Sequence, residues 1–267
     1  MPERYTHGHH AAVLAAHSAR TAQNSAAFLL PHLRPDHQLL DVGCGPGSIT
    51  VDLAELVPQG HVTGIDAVAA VLDQGRSAAA ARGVTNITFE PADTYALPYP
   101  EASFDVVYAH QVLQHVARPV EALREMHRVL RPGGLVAVRD SDYTTMVHAP
   151  HDPRLDRWLQ LYFQVARSNG GEPNAGRFLR GWVQQAGFVE EVTTATAWCH
   201  ANAEAATAWG HTWAARVTES AFAEQAVTMG AATAAELADI ADAWRSWAAE
   251  PDAFFAFVHG EVIATKA

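Results

Sequence analysis

Three glycines two residues apart, Gly43, Gly45 and Gly47, follow the apolar run Leu39–Val42 and lead into a helix-forming stretch from Ser48. A glycine turn that opens a helix lets the backbone approach a ligand closely and points N–H groups at it. Asp66 stands 19 residues after Gly47, at the end of the next apolar segment. A carboxylate there can accept from both hydroxyls of a ribose. Asp41 lies just before the glycines; it would face a pyrophosphate badly but suits ordered water or a cationic group. The loop reads G-x-G-x-G with Ser48 in the sixth position, where the dinucleotide fingerprint needs glycine or alanine. These residues describe a site for a nucleoside-bearing ligand without phosphates.

A second set could move protons. His110 and His115 follow a strand-like segment from Phe104, and histidine titrates near neutral pH, so either could serve as a general base. Residues 1–38 hold six of the fifteen histidines, among them His7, His9, His10 and His17. No Asp, Glu or Cys partner shares their spacing, and no metal site is expected. Aromatic residues cluster late: all seven tryptophans follow residue 150. Tyr143, Trp158, Tyr162, Phe163, Phe178, Trp182, Trp198, Trp209 and Trp213 could line an apolar cavity, although aromatics at helical spacing are more often core.

These residues need elements to hold them. Strands are predicted at residues 39–43, 61–66, 87–89, 104–109 and 135–140. Helices are predicted at residues 48–57, 68–82 and 120–130, and Pro132-Gly133-Gly134 reads as a turn before the fifth strand. Alternation of this kind implies right-handed βαβ units and a doubly wound, mostly parallel α/β sheet, Rossmann-like in kind. A helix is expected from Ala11 to Leu30, closed by Pro31 and Pro35. Helices at 152–169 and 175–186, a strand at 188–199, a mostly helical stretch at 202–249 and a final strand at 254–265 with a kink at Gly260 complete the chain. The division expected is an N-terminal helical lid (1–38), a cofactor-binding core (39–140), and a helical cap with the last strands (141–267), integrated into one domain.

Composition limits the partners. Among 267 residues, 18 are Lys or Arg and 29 are Asp or Glu, a net charge of −11. Such a surface repels phosphate backbones, and no basic cluster appears, so nucleic acid is not an expected partner. Two cysteines, Cys44 and Cys199, build no disulfide framework. No stretch has the ~20 apolar residues of a membrane span, and no secretory core precedes residue 18. A cytoplasmic location is expected, with a small-molecule substrate as partner and a homodimer left open.

The segment Leu39–Thr50, LLDVGCGPGSIT, resembles the first motif of class I S-adenosylmethionine-dependent methyltransferases. Gly64-Ile65-Asp66, Ala92-Asp93 with Leu97-Pro98-Tyr99, Phe104-Asp105-Val106-Val107 with Val112–His115, and Glu125–Gly134 resemble later motifs, in order. The likeness spans roughly residues 38–140 and is nearest to the ubiquinone/menaquinone-biosynthesis type, whose members mostly act on small molecules. It implies S-adenosyl-L-methionine as cofactor and S-adenosyl-L-homocysteine as product. Gly43, Gly45 and Gly47 would flank the methionine part, Asp66 would bind the ribose, and Ala67 would lie beside the adenine. Asp93 would accept from the adenine amine with Thr94 next to it, and His110 and Gln111 would face the sulfonium. The N-terminal segment would fold over the site as a lid, Tyr5 closing on the reacting methyl, Arg20 pairing with the cofactor carboxylate and His9 facing the acceptor.

The expected reaction is in-line methyl transfer to oxygen, nitrogen or carbon of a small, aromatic or hydrophobic metabolite of secondary-metabolite type. His110, His115 and Tyr5 are the catalytic candidates. Tyr143, Trp158, Tyr162, Phe178, Trp182, Trp213 and His9 are the substrate candidates. Two other readings compete: a non-methylating protein or enzyme on the same fold, and a nicotinamide-dependent oxidoreductase, which Ser48 argues against.

Overall fold

In the computed structural model, which describes Thr6 and residues 20–267, seven strands form one sheet. They are β1 (Gln38–Val42), β2 (His61–Asp66), β3 (Ile87–Pro91), β4 (Phe104–His110), β5 (Leu130–Ala149), β6 (Val189–His200) and β7 (Phe254–Thr265). Their order is β3-β2-β1-β4-β5-β7-β6. The first five strands run parallel, and β7 runs antiparallel between β5 and β6. The chain winds outward from β1 in one direction through β3, then returns to β4 on the other side. The loops after β1 and β4 therefore diverge at the carboxyl ends of neighbouring strands, where open α/β sheets form a crevice.

The helices are α1 (Ala22–Ser25), α2 (Ser48–Leu56), α3 (Ala69–Arg82), α4 (Pro119–Val129), α5 (Pro153–Ser168), α6 (Ala175–Gln185), α7 (Ala203–Glu219), α8 (Ala221–Thr228) and α9 (Ala234–Ala249), with a short 3-10 turn at Leu30–His32. Apolar spacing fixes which face each buries. In α4, Ala122, Leu123, Met126 and Val129 turn inward while Arg118 and Glu121 pair in solvent. Parallel strands are covered on both faces, and β1 is accordingly buried from Leu39 to Val42, with Asp41 the one charged residue among them. Leu40 and Val42 pack with Val107 and Leu123, and Leu39 packs on the opposite side with Leu53 and Val106. Asp41 shares the Leu39 side and lies under α2, a placement its charge makes costly unless it is used.

The mostly parallel α/β sheet matches the sequence reading, and three local expectations change. The continuous helix from Ala11 to Leu30 does not hold over the described part. Thr21 is extended and begins a new helix: its hydroxyl accepts from Asn24 N–H, and Asn24 Oδ1 accepts from Thr21 N–H. This reciprocal cap is a stronger local signal than the weak apolar spacing around it. Pro31 then opens the 3-10 turn instead of closing a helix. The fifth strand is far longer than six residues. Its Pro-Gly-Gly segment becomes an irregularity within the strand, with Gly133 N–H donating to Lys266 O and Lys266 N–H to Gly134 O. Beyond Asp140 the strand continues because β7 pairs with it antiparallel, with a register shift between Asp142 and Val147. The ladder runs unbroken through Gly260, so no kink accounts for that glycine. A Cβ on Gly260 would lie 2.1 Å from Gly176 O, and one on Gly176 would lie 2.6 Å from Asp140 O. The two glycines let α6 sit directly on β5 and β7.

Beside the carboxyl end of β5 and the amino end of β7, α5, α7, α8 and α9 enclose an aromatic nucleus. Trp158 meets Trp213 and Trp244 edge-on at 4.4 and 4.9 Å, each ring wholly buried. Tyr143 of β5 and Phe255 and Phe257 of β7 belong to the same cluster. The cap therefore grows out of the strands that floor the site, and aromatic edge contacts of this kind add stabilisation beyond area burial.

Candidate functional site

The glycine loop is built by backbone hydrogen bonds and three left-handed residues. Cys44 N–H donates to Ile65 O at 2.9 Å, Gly47 N–H to Cys44 O at 3.1 Å, and Val51 N–H to Gly47 O at 2.9 Å. Gly43, Gly45 and Gly47 have φ of +68°, +54° and +76°. A Cβ on Gly43 would lie 2.5 Å from Val112, and one on Gly47 would lie 2.6 Å from Phe89, whereas one on Gly45 would meet nothing within 4 Å. Two of the glycines are thus needed for packing and backbone, and Gly45 carries the face that stays open.

The carboxylates surround this loop. Asp66 accepts from Gly45 N–H at 3.1 Å with one oxygen and from Val68 N–H at 2.9 Å with the other. It thereby ties β2 to the glycine loop and keeps lone pairs for a ligand. Asp41 is buried and accepts from the Thr50 hydroxyl at 2.6 Å. Burial raises its pKa to about 7, with the Thr50 bond opposing and the nearby Asp66 charge adding to the rise. Asp93 caps its own turn by accepting from Tyr95 N–H at 2.8 Å. The buried Thr94 hydroxyl has no hydrogen-bond partner among the described residues. This donor set fits a nucleoside with a cationic tail: a ribose-competent carboxylate, an unsatisfied hydroxyl, and a buried acid that a positive group would relieve.

The segment after β4 joins this loop to a cavity. Val112 packs beneath Gly43. Gln111, Gln114 and His115 line a cavity with Arg20, Tyr143, Trp198, Trp209, Trp213, Arg216 and Phe257. Leu113 and Gln114 donate their N–H groups to the wholly buried Asp140, at 3.3 and 3.2 Å. Burial raises Asp140 to about 8 despite those two bonds. His115 Nε2 accepts from the Gln114 amide at 3.0 Å. Burial, together with the charges of Arg20 and Arg216, lowers its pKa to about 3. Arg20 donates to Gln111 Oε1 at 2.5 Å and lies over the Trp198 ring.

The structure brings some of the expected residues together and separates others. Arg20, Gln111, His115, Tyr143, Trp198, Trp209 and Trp213 share the cavity. His110 is buried beneath it, its ring parallel to Tyr108 and near Trp198 and His259. Tyr162 stacks behind Tyr143 at 4.3 Å, and Trp158 lies deeper in the cap core. Phe178 and Trp182 stack on each other on α6; Phe178 is exposed and Trp182 packs against the sheet core, so neither lines the cavity. Tyr5, His9 and most of the expected lid lie outside the described residues. Sequence reasoning missed Gln114, Arg216, Phe257 and His259. Arg216 alone carried a signal, as a lone cation on the inward face of a helix rich in tryptophan and alanine.

A family model for a methyltransferase domain matches residues 33–187. An uncharacterised methyltransferase of Schizosaccharomyces pombe is 31% identical over 98% of this chain and 96% of its own. A demethylmenaquinone methyltransferase of Symbiobacterium thermophilum is 38% identical over 39% of this chain and 42% of its own. Among solved structures, a Haemonchus contortus phosphoethanolamine N-methyltransferase in complex with S-adenosyl-L-methionine superposes with a TM-score of 0.58, at 14% identity, over 91% of this chain and 52% of the other. The chain belongs to the methyltransferase-domain family, and its sheet is that of class I, Rossmann-like methyltransferases. Among the described residues no helix is long and apolar enough to cross a membrane.

Proposed function

We propose that this protein transfers a methyl group from S-adenosyl-L-methionine to a small, flat, aromatic or hydrophobic metabolite held in the cap cavity. The observation that carries the reading is the segment after β4: Val112 packs under the glycine loop while Gln111, Gln114 and His115 line the cavity. A cofactor on the loop and an acceptor under the cap would meet across it. When bound, the cofactor supplies a methyl on a sulfonium, whose departure leaves a neutral thioether.

In this reading the glycine loop carries the amino-acid part, with Asp41 nearby as the buried acid that a cationic tail offsets. Asp66 takes the ribose hydroxyls with Ala67 beside the base, and Asp93 and Thr94 take the adenine edge. Arg20 and Gln111 hold the carboxylate end at the mouth of the cavity. Little acid catalysis is needed with a neutral leaving group, so the main contribution of the chain is alignment of the nucleophile with the methyl. His115 faces the cavity but is a weak base, its pKa held near 3. It orients a polar acceptor atom and does not deprotonate a reluctant one. An acceptor whose hydroxyl or C–H ionises readily fits this best. Aromatic walls with Arg20 and Arg216 among them suit a flat, neutral or acidic molecule better than a cationic amine.

The test is a labelled-methyl assay against phenols, enolic acids, indoles and quinols. Product from phenols, enols or quinols that is lost in Trp213→Ala, with S-adenosylhomocysteine binding kept, is the expected result. Turnover only with cationic amines would contradict the acceptor class, and no methyl transfer to any member despite cofactor binding would favour the non-methylating reading.

A further inference from the structure

We infer that His259 is a positioning residue of the site: it fixes the side-chain amide of Gln111, and through it Arg20, at the wall of the cavity. His259 lies on β7, wholly buried, 148 residues from Gln111 in sequence. The chain of hydrogen bonds has a single consistent polarity. A guanidinium only donates, so the Gln111 atom 2.5 Å from Arg20 Nη2 is the amide oxygen. The amide nitrogen is then the atom 2.9 Å from His259 Nε2. An amide NH2 cannot accept, so His259 Nε2 must be the acceptor, and the neutral ring carries its hydrogen on Nδ1.

The surroundings enforce this state. Burial, with the charges of Arg139 and Arg20, holds the His259 pKa well below the ordinary range, so the ring stays neutral. It is walled by Trp198 at 4.5 Å, Phe257 at 4.7 Å and His110 at 6.2 Å. Nδ1 is buried with no hydrogen-bond partner among the described residues. A phenyl ring would fill such a nest without leaving a buried donor unsatisfied, which costs free energy. What the imidazole adds is the acceptor at Nε2. Gln111 is held from the other side as well. Its φ of +54° is left-handed, uncommon for a residue with a side chain, and its N–H donates to Arg139 O at 2.7 Å. Backbone and side chain of Gln111 are each pinned by the neighbouring strands, β5 for one and β7 for the other.

The consequence for ligand binding rests on the cofactor reading above; the tautomer and the amide orientation do not. Long-range 15N–1H spectra at neutral pH are expected to give His259 as the Nδ1–H tautomer, with the Gln111 side-chain amide shifted in His259→Phe. An Nε2–H or charged ring, or an unmoved Gln111 amide, would overturn the inference. Calorimetric titration with S-adenosylhomocysteine is expected to show roughly ten-fold weaker binding in His259→Phe, the scale of one lost polar contact to a charged group. Binding nearer wild type is expected in His259→Asn, which keeps an acceptor and serves if the phenylalanine variant misfolds. In a Gln111→Leu background, His259→Phe should cost nothing further. Equal losses in both backgrounds would make His259 independent of Gln111 and reject the positioning role. A wild-type protein that ignores S-adenosylhomocysteine would refute the cofactor reading, and the spectra would still decide the role of His259.

Discussion

Asp41 is buried beside the glycine loop with the Thr50 hydroxyl as its hydrogen-bond partner. Its pKa is raised from 3.8 to about 7. Between those values the folded chain holds a proton that the unfolded chain has released. The stability this group contributes is full below the unfolded pKa and is lost as pH rises through the folded one, with a slope on the order of 1 kcal/mol per pH unit. Thermal melting of wild type and Asp41→Asn between about pH 5 and pH 8 checks this. The variant should gain on the wild type as pH rises toward 7, and a pH-independent difference would show that Asp41 does not titrate in this window. Asp66 is tested by affinity. Asp66→Ala should weaken S-adenosylhomocysteine binding by more than ~1 kcal/mol, since it removes a charged acceptor and loosens Gly45; unchanged affinity in a titration would remove it from the ribose. Both residues were legible in the sequence because their meaning is local: a carboxylate before a glycine turn, and another at the next strand end. Phe257 and His259 were not, and Arg216 was so only as a lone inward cation, because only the packing of α7 beside β6 and the pairing of β7 with β5 and β6 bring them to a common cavity wall or neighbour. His110 shows the converse. Its position after a strand marked it as a base, yet its ring is buried against Tyr108, Trp198 and His259, behind the residues that line the cavity.

Elements differ in how far sequence alone defines them. The βαβ rhythm up to Asp140 is written in apolar period and in glycine or proline punctuation, and helices such as α3 end where Gly83 allows a left-handed cap. The long β5 was not visible, because strand length beyond Asp140 is set by pairing with β7. Two glycines of α6 separate packing from propensity. A Cβ on Gly176 would meet Asp140 O at 2.6 Å and Gly260 N at 2.9 Å, both backbone atoms, whereas one on Gly181 would meet nothing within 4 Å. Gly176→Ala should therefore lower the melting temperature, by an overpacking cost of ~1–3 kcal/mol. Gly181→Ala should raise it, by a helix-propensity gain of up to ~1 kcal/mol. Equal effects of the two in thermal denaturation would mean that α6 does not lie directly on β5 and β7.

At the scale of the whole molecule, sheet and cap share one job. The reversal of strand order between β1 and β4 opens a crevice over the glycine loop. The aromatic nucleus of the cap is continuous with Phe255 and Phe257 of β7, so the cap cavity is braced by the sheet that carries the glycine loop. The motif likeness covered the first half of this arrangement, roughly residues 38–140; in the proposed reading the second half sets the acceptor. The central claim is that the loop serves an S-adenosyl cofactor and not a dinucleotide. The most direct measurement is calorimetric titration of the wild-type protein with S-adenosylhomocysteine and, separately, with NAD. The account requires saturable one-site binding of S-adenosylhomocysteine and no heat with NAD. Saturable NAD binding with no response to S-adenosylhomocysteine would contradict it.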